Sequence, residues 1–152
     1  FAGEIMAMIG KAKASEAMKR YAPFLEEAGN AVIDLVMTFG GWGKSSSFLL
    51  PILNASPFLD IFGDVVAGGL LMEAAVIAEE KLAAIYAEKG ADTIGKQRAL
   101  VHEDPDAAFY AGKIASARFF AAEGLSTVKA RCEAIKFVDR SPLEIADESF
   151  AE

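Results

Sequence analysis

Apolar side chains in this sequence recur in steps of three and four, and that spacing confines the chain to helices. Ile114, Ala117, Ala121, Leu125, Val128, Cys132 and Ile135 never leave the pattern, so all seven fall on one face of a helix. Leu25, Ala28, Val32, Leu35 and Phe39 repeat it upstream, with Glu26, Asn30 and Asp34 on the opposite side. Ile5, Met8, Ile9 and Ala12 mark a shorter first segment over 2–14. Alternation of β-branched residues is nearly absent, and 29 alanines against three threonines favour helix throughout. The sequence therefore predicts an all-α fold, an antiparallel four-helix bundle with a short C-terminal helix. No period of roughly 20 to 50 residues repeats, which excludes a solenoid.

Punctuation sets the boundaries. Pro23 starts the second helix, or kinks one that began near Ser15. Gly40, Gly41 and Gly43 stop it, and Lys44 to Ser47 reads as loop. Residues 48–56 are apolar but broken by Pro51 and Pro57. Ser56-Pro57 then supplies a cap and first turn for a third helix over 57–88, ended by Gly90. That helix would be about 48 Å long. Between Asp64 and Glu73 it carries no charge, so it should be surrounded on most sides, by its own bundle or by another protein surface. Residues 91–104 are polar and mixed, the longest connection. Asp104-Pro105-Asp106 opens a fourth helix running to about Phe137, and Ser141-Pro142-Leu143-Glu144 reads as a capping box for one last short helix before Phe150. Residues 138–152 form an acidic tail. The 152 residues make one domain. With no initiator Met before Phe1, this domain is expected to be the C-terminal piece of a longer chain.

Charge and rare residues remove several function classes. A net charge of −7 opposes nucleic acid and anionic membrane surfaces, which need clustered positive charge. A single cysteine, Cys132, makes no internal disulfide, and a reducing, cytoplasmic setting is expected. A di-metal carboxylate bundle needs Glu-x-x-His on two helices, whereas His102 is the only histidine and is expected in a solvated loop. Thr38-Phe39-Gly40-Gly41-Trp42-Gly43-Lys44-Ser45 approaches a phosphate-binding loop, but Thr38 stands where glycine is required and a helical stripe precedes it. Arg131 beside Cys132 favours a thiolate, yet Cys132 lies on the apolar stripe, where a buried inert thiol is the ordinary outcome. Glu26 with Glu27 and Glu79 with Glu80 point about 100° apart on a helix, and read as solvated faces. Asp60, Asp64 and Glu73 interrupt the apolar stretch Phe48–Ala78, so no membrane span is expected. Gly68 and Gly69 would instead admit a close neighbouring helix. No catalytic, cofactor-binding or metal-ligating residue is assigned.

Two segments carry more than composition. One is Phe58-Leu59-Asp60-Ile61-Phe62-Gly63-Asp64-Val65-Val66-Ala67-Gly68-Gly69-Leu70-Leu71-Met72-Glu73-Ala74-Ala75; the other is Phe109-Tyr110-Ala111-Gly112-Lys113-Ile114-Ala115-Ser116-Ala117-Arg118-Phe119-Phe120. Together they resemble the helical C-terminal extension of acyl-CoA dehydrogenases, in the subgroup of the 3-methylmercaptopropionyl-CoA dehydrogenase-like enzymes. Gly69 stands where that pattern often has Trp, Ser116 replaces Thr and Phe120 replaces Tyr. The tail from Ser141 to Phe150 is similar to the family's end-piece.

The resemblance implies a parent enzyme that uses FAD to convert an acyl-CoA to a 2-enoyl-CoA, with a glutamate base upstream of this segment. No residue here matches that base, so the segment itself is expected to hold neither base nor flavin. Its partners would be the catalytic core of the parent chain and a second subunit. Phe109, Tyr110, Phe119 and Phe120 suit such packing, and Lys113 and Arg118 are the expected polar contacts of their helix. A different class of function stays open, a free-standing helical module with an apolar groove for a partner or ligand.

Overall fold

The computed structural model describes residues 2–45 and 47–150, and every regular element among them is helical. Expectations that touch Phe1, Ser46, Ala151 and Glu152 lie outside the described residues. The helices are α1 (Ala2–Ala14), α2 (Ala22–Trp42), α3 (Leu49–Leu53), α4 (Ala55–Glu88), α5 (Ile94–Glu103), α6 (Pro105–Glu123) and α7 (Val128–Lys136). Each anticipated stripe faces inward. Ile5, Ile9 and Ala12 of α1 are buried, as are Leu25, Ala28, Val32 and Leu35 of α2. The whole series from Ile114 to Ile135 is buried as well. Ser15–Tyr21 turns between α1 and α2, so residues 15–40 hold one helix rather than a kinked long one.

Contacts between elements give their directions. Met8, Lys11 and Ser15 of the first segment meet Gly69, Glu73 and Glu79 in turn, so α1 runs parallel to α4. Lys129 pairs with Glu27 and Lys136 with Asp34, which sets α7 parallel to α2. Arg131 pairs with Asp64, and Leu125 lies on Gly68, so the chain from α6 into α7 descends antiparallel to α4. The side-by-side pairs thus include parallel as well as antiparallel ones.

Four boundaries depart from the sequence reading, each for a local reason. α2 continues through Gly40 and Gly41 to Trp42, because Phe39 stacks on Trp42 and on Phe58 at 5.5 and 5.3 Å. Those tertiary contacts outweigh the glycines' poor helix propensity. α4 begins at Ala55, with Asn54 rather than Ser56 in the capping position and Asn54 Nδ2 donating to Leu50 O. The polar stretch 91–104 holds a helix, α5, capped by Thr93 and without one fully buried residue. His102 therefore sits exposed in a last helical turn and not in a loop. The expected single helix to Phe137 breaks after Gly124, where Leu125–Thr127 forms a 3₁₀ turn. Ser126 Oγ and Thr127 Oγ1 donate to Ala122 O and Gly124 O there, offering the backbone an alternative to the α-helical ladder.

The end of the chain also differs. Ser141–Leu143 and Asp147–Phe150 are 3₁₀ turns, and no side chain at Ser141 caps a helix. Asp139 instead accepts from the Ser141 N–H and hydroxyl, which holds its carboxyl below the ordinary range. Two boundaries follow the sequence closely. Asp104 caps α6 by accepting from Asp106 N and Ala107 N, with Pro105 in the first turn. Gly90, at φ 65°, closes α4 in the left-handed conformation while Ala91 N donates to Tyr86 O.

Candidate functional site

Polar side chains converge at the turn between α1 and α2. Ser15 is buried and its hydroxyl donates to Glu79 Oε2 at 2.5 Å, while Ala17 N donates to Glu79 Oε1 at 2.8 Å. Arg118 Nε donates to Ala17 O at 3.1 Å, and its guanidinium lies 5.8 Å from the Tyr21 ring centroid. A carboxylate from α4 and a guanidinium from α6 thus hold one turn from both sides. Glu79 is therefore not part of a solvated face, and Glu26 and Glu27 are tied to Lys13 and Lys129. The sequence contained no local signal for this clamp, since Ser15, Glu79 and Arg118 are far apart in the chain. Lys113, the other expected polar contact, lies 5.2 Å over its own helical neighbour Phe109.

Beside the clamp lies an open cleft of about 490 Å³ lined by Glu16, Glu79, Tyr86, Gln97 and Arg118 among others. A second, of about 460 Å³, includes Ser56, Asp60 and Arg131. A third, of about 420 Å³, carries Glu26, Glu27, Asp34 and Glu133. Carboxylates line all three beside a single cation each, Arg118, Arg131 and Lys129 in turn, so none presents the unopposed positive charge that a flavin pyrophosphate would take. Among the described residues, no group of three or more His, Cys, Asp or Glu is placed to hold a metal ion.

The Gly-rich segment cannot act as a phosphate loop. Thr38–Trp42 is helical, Thr38 Oγ1 donates to Asp34 O, and the loop leaves the carbonyl end of α2. Anions are bound at the opposite, amide end of a helix. Cys132 is fully buried, and burial pushes its thiol up despite Lys136 and Arg131 nearby. Lys136 is itself raised by hydrogen bonds to Asp34 and Glu133.

What the surface offers instead is apolar. Phe109 and Phe119 of α6 are exposed, as are Leu59, Leu70 and Ile77 of α4. α4 is long and apolar enough to cross a membrane by length and composition, a test its interrupting acids do not prevent it from passing. A buried core helix passes the same test, and one full face of α4 is buried in this protein.

The family described as "Acetyl-CoA dehydrogenase C-terminal like" matches residues 1–146. The chain belongs to this family. A butyryl-CoA dehydrogenase of Syntrophomonas wolfei subsp. wolfei (strain DSM 2245B / Goettingen) is 29% identical over 126 residues. That match covers 83% of this chain and 18% of the relative, so the chain spans less than a fifth of the relative's length. Within this acyl-CoA dehydrogenase C-terminal domain, the two segments that carried the resemblance are α4 and α6. Ile61, Val65, Gly68, Met72 and Ala75 of the first are buried, as are Ile114 and Ala117 of the second. Gly69, at the position of the frequent Trp, is covered by Met8, whose Sδ would lie 2.7 Å from an added Cβ. These motif positions are core positions.

Proposed function

We propose that this chain is a structural, interface-forming C-terminal domain of a FAD-dependent acyl-CoA dehydrogenase whose parent oxidises acyl-CoA to 2-enoyl-CoA in the cytoplasm. One observation carries the proposal: a family match along nearly the whole chain coincides with exposed apolar helix faces and with clefts whose carboxylates suit neither CoA nor flavin phosphates. In that role the domain packs on the catalytic core of its parent and on a second subunit. The long segments α1, α2, α4 and α6–α7 act as a four-helix bundle, rigid enough to present those faces. The sequence segments in α4 and α6 favour the 3-methylmercaptopropionyl-CoA dehydrogenase-like subgroup. FAD bound in the parent would supply the hydride-accepting chemistry, while this chain's residues orient and cover rather than react.

The test has two arms. Reading the coding DNA in frame upstream of the Phe1 codon should reveal a dehydrogenase core. The 152-residue chain, titrated with FAD and assayed with butyryl-CoA and an artificial electron acceptor, should retain no flavin and reduce nothing. A yellow or active preparation overturns the interface reading. A start codon at this position would favour a free-standing helical module.

A further inference from the structure

α4 is apolar on the side turned away from its own bundle. Leu59, Gly63, Val66, Leu70, Ala74 and Ile77 step by four, three, four, four and three, opposite the buried line Ile61–Val65–Gly68–Met72–Ala75. Leu59, Leu70 and Ile77 are 64%, 54% and 52% exposed, and Val66 and Ala74 are half-buried. Phe119 of α6, 71% exposed, borders this stripe where it meets Leu71 in a shallow depression. A helix that faces solvent in a stable protein normally turns charge outward, so this face calls for a cover.

The stripe reads nearly the same in both directions. Around Gly68 the order is large, small, large, then large, small, large: Leu59, Gly63, Val66, and Leu70, Ala74, Ile77. Antiparallel pairing with a second copy about a two-fold axis near Gly68 sets Leu59 against Ile77 and Val66 against Leu70 twice over, the self-complementarity an isologous contact requires. Charge points the same way. Asp60 lies on one edge of the stripe and Lys81 one step of four beyond Ile77; both are exposed, and neither has an ion-pair partner among the described residues. Antiparallel pairing brings Asp60 of each copy within reach of Lys81 of the other, whereas parallel pairing leaves the two about 31 Å apart along the axis. Glu73, on the other edge, is already tied to Lys11. An anionic lipid surface is a poorer cover, because the cations beside the stripe, Lys81 and Lys11, are outnumbered by Asp60, Glu73 and Glu80.

We propose that the exposed face of α4, with Phe119, is a homodimer surface on which two copies of this chain pair antiparallel. This deepens the interface reading by naming the second-subunit surface, and rests on that reading only for its place in an enzyme. The stripe spans about 27 Å of helix, which is short for a standard interface, so the contact is weak and depends on concentration.

Sedimentation of the 152-residue chain should show a monomer–dimer equilibrium. Leu70→Glu should leave a monomer with unchanged helical circular dichroism. Asp60→Lys and Lys81→Asp should each weaken pairing by roughly fivefold, and the double variant should restore it, a rescue that a folding defect would not give. A mixture of Leu59→Cys and Ile77→Cys chains should cross-link on oxidation, while Leu59→Cys alone should not, its thiols being about 27 Å apart. A chain that stays monomeric at millimolar concentration, or that dimerises despite Leu70→Glu, overturns the proposal. So does capture of this face by acyl-CoA dehydrogenase core or by lipid vesicles in place of a second copy. None of these readouts involves dehydrogenase activity, so failure of the pairing and failure of the enzyme reading are separable.

Discussion

Gly68 fixes how closely α4 approaches the corner between α6 and α7, and Gly68→Ala measures that approach. A Cβ there would lie 2.8 Å from both Cδ atoms of Leu125 and 3.0 Å from its Cγ. The obstacle is the whole branched end of a side chain that is itself buried in the core, so a single rotation does not clear it. Overpacking of this kind costs about 1–3 kcal/mol. Exchanging glycine for alanine inside a helix returns about 0.5–1 kcal/mol. The net expectation is a loss of about 1 kcal/mol, or a fall in Tm of roughly 2–4 °C for a chain of this size. Gly112 of α6 supplies the control, since an added Cβ meets nothing within 4 Å there. Gly112→Ala should stabilise by about 0.5–1 kcal/mol. In a Leu125→Ala background the obstacle is gone, so Gly68→Ala should change sign and stabilise. Urea denaturation of the four variants, followed by circular dichroism at low concentration, gives the cycle. If Gly68→Ala stabilises the unmodified chain as much as Gly112→Ala does, the close approach of α4 to Leu125 is wrong.

Three further outcomes are expected. Glu79→Ala leaves the buried Ser15 hydroxyl and Ala17 N–H without their acceptor and should cost about 1–3 kcal/mol; combined with Arg118→Ala, which frees the same turn, the loss in urea melts should be less than additive, and strict additivity would dissolve the clamp. Burial holds the Cys132 thiol above its ordinary range, so an aromatic disulfide reagent should label it only as the chain unfolds. Because its folded pKa exceeds the unfolded one, its contribution is complete below the ordinary thiol range and fades as pH rises through the raised value. Rapid labelling of the native chain at pH 8 would contradict this. Asp104→Ala removes the two hydrogen bonds that cap α6 and should cost about 1 kcal/mol, while Asp104→Ser should retain most of the stability; equal losses would show that the cap is idle.

Periodicity located the core because burial is what it encodes. Every apolar position of the stripe from Ile114 to Ile135 is buried, yet the same pattern concealed the break at Gly124. A single 3₁₀ turn shifts the helical phase too little to disturb steps of three and four, and only Ser126 and Thr127, bonding back to Ala122 and Gly124, betray it. α5 was missed for the opposite reason. It buries no residue fully and so has no stripe, although Thr93 accepts from Lys96 N as an ordinary cap. The clamp was illegible for another cause: its hydrogen bonds join residues 62, 64 and 101 positions apart. Spacing within one helix carries no information on which carboxylate meets which turn.

α4 shows where pattern ends and function begins. The charge-free interval from Asp64 to Glu73 implied a helix surrounded on most sides, and Val65, Gly68, Gly69 and Met72 are indeed buried. Gly68 and Gly69 accept Leu125 and Met8 at distances no side chain would allow, which explains why small residues stand on the inner side. Leu70 remains exposed in the middle of that interval, and nothing in this bundle requires it to be apolar. Were α4 only a core helix, Leu59, Leu70 and Ile77 would tolerate charge at little cost to folding, since solvent already reaches them. Substituting all three with lysine therefore separates the two demands on this helix. Folding of the single domain should survive, with urea stability within about 1 kcal/mol, while association through the outer face should be abolished. Loss of the fold itself would mean that these positions serve the bundle, and that the face turned outward is not an interface.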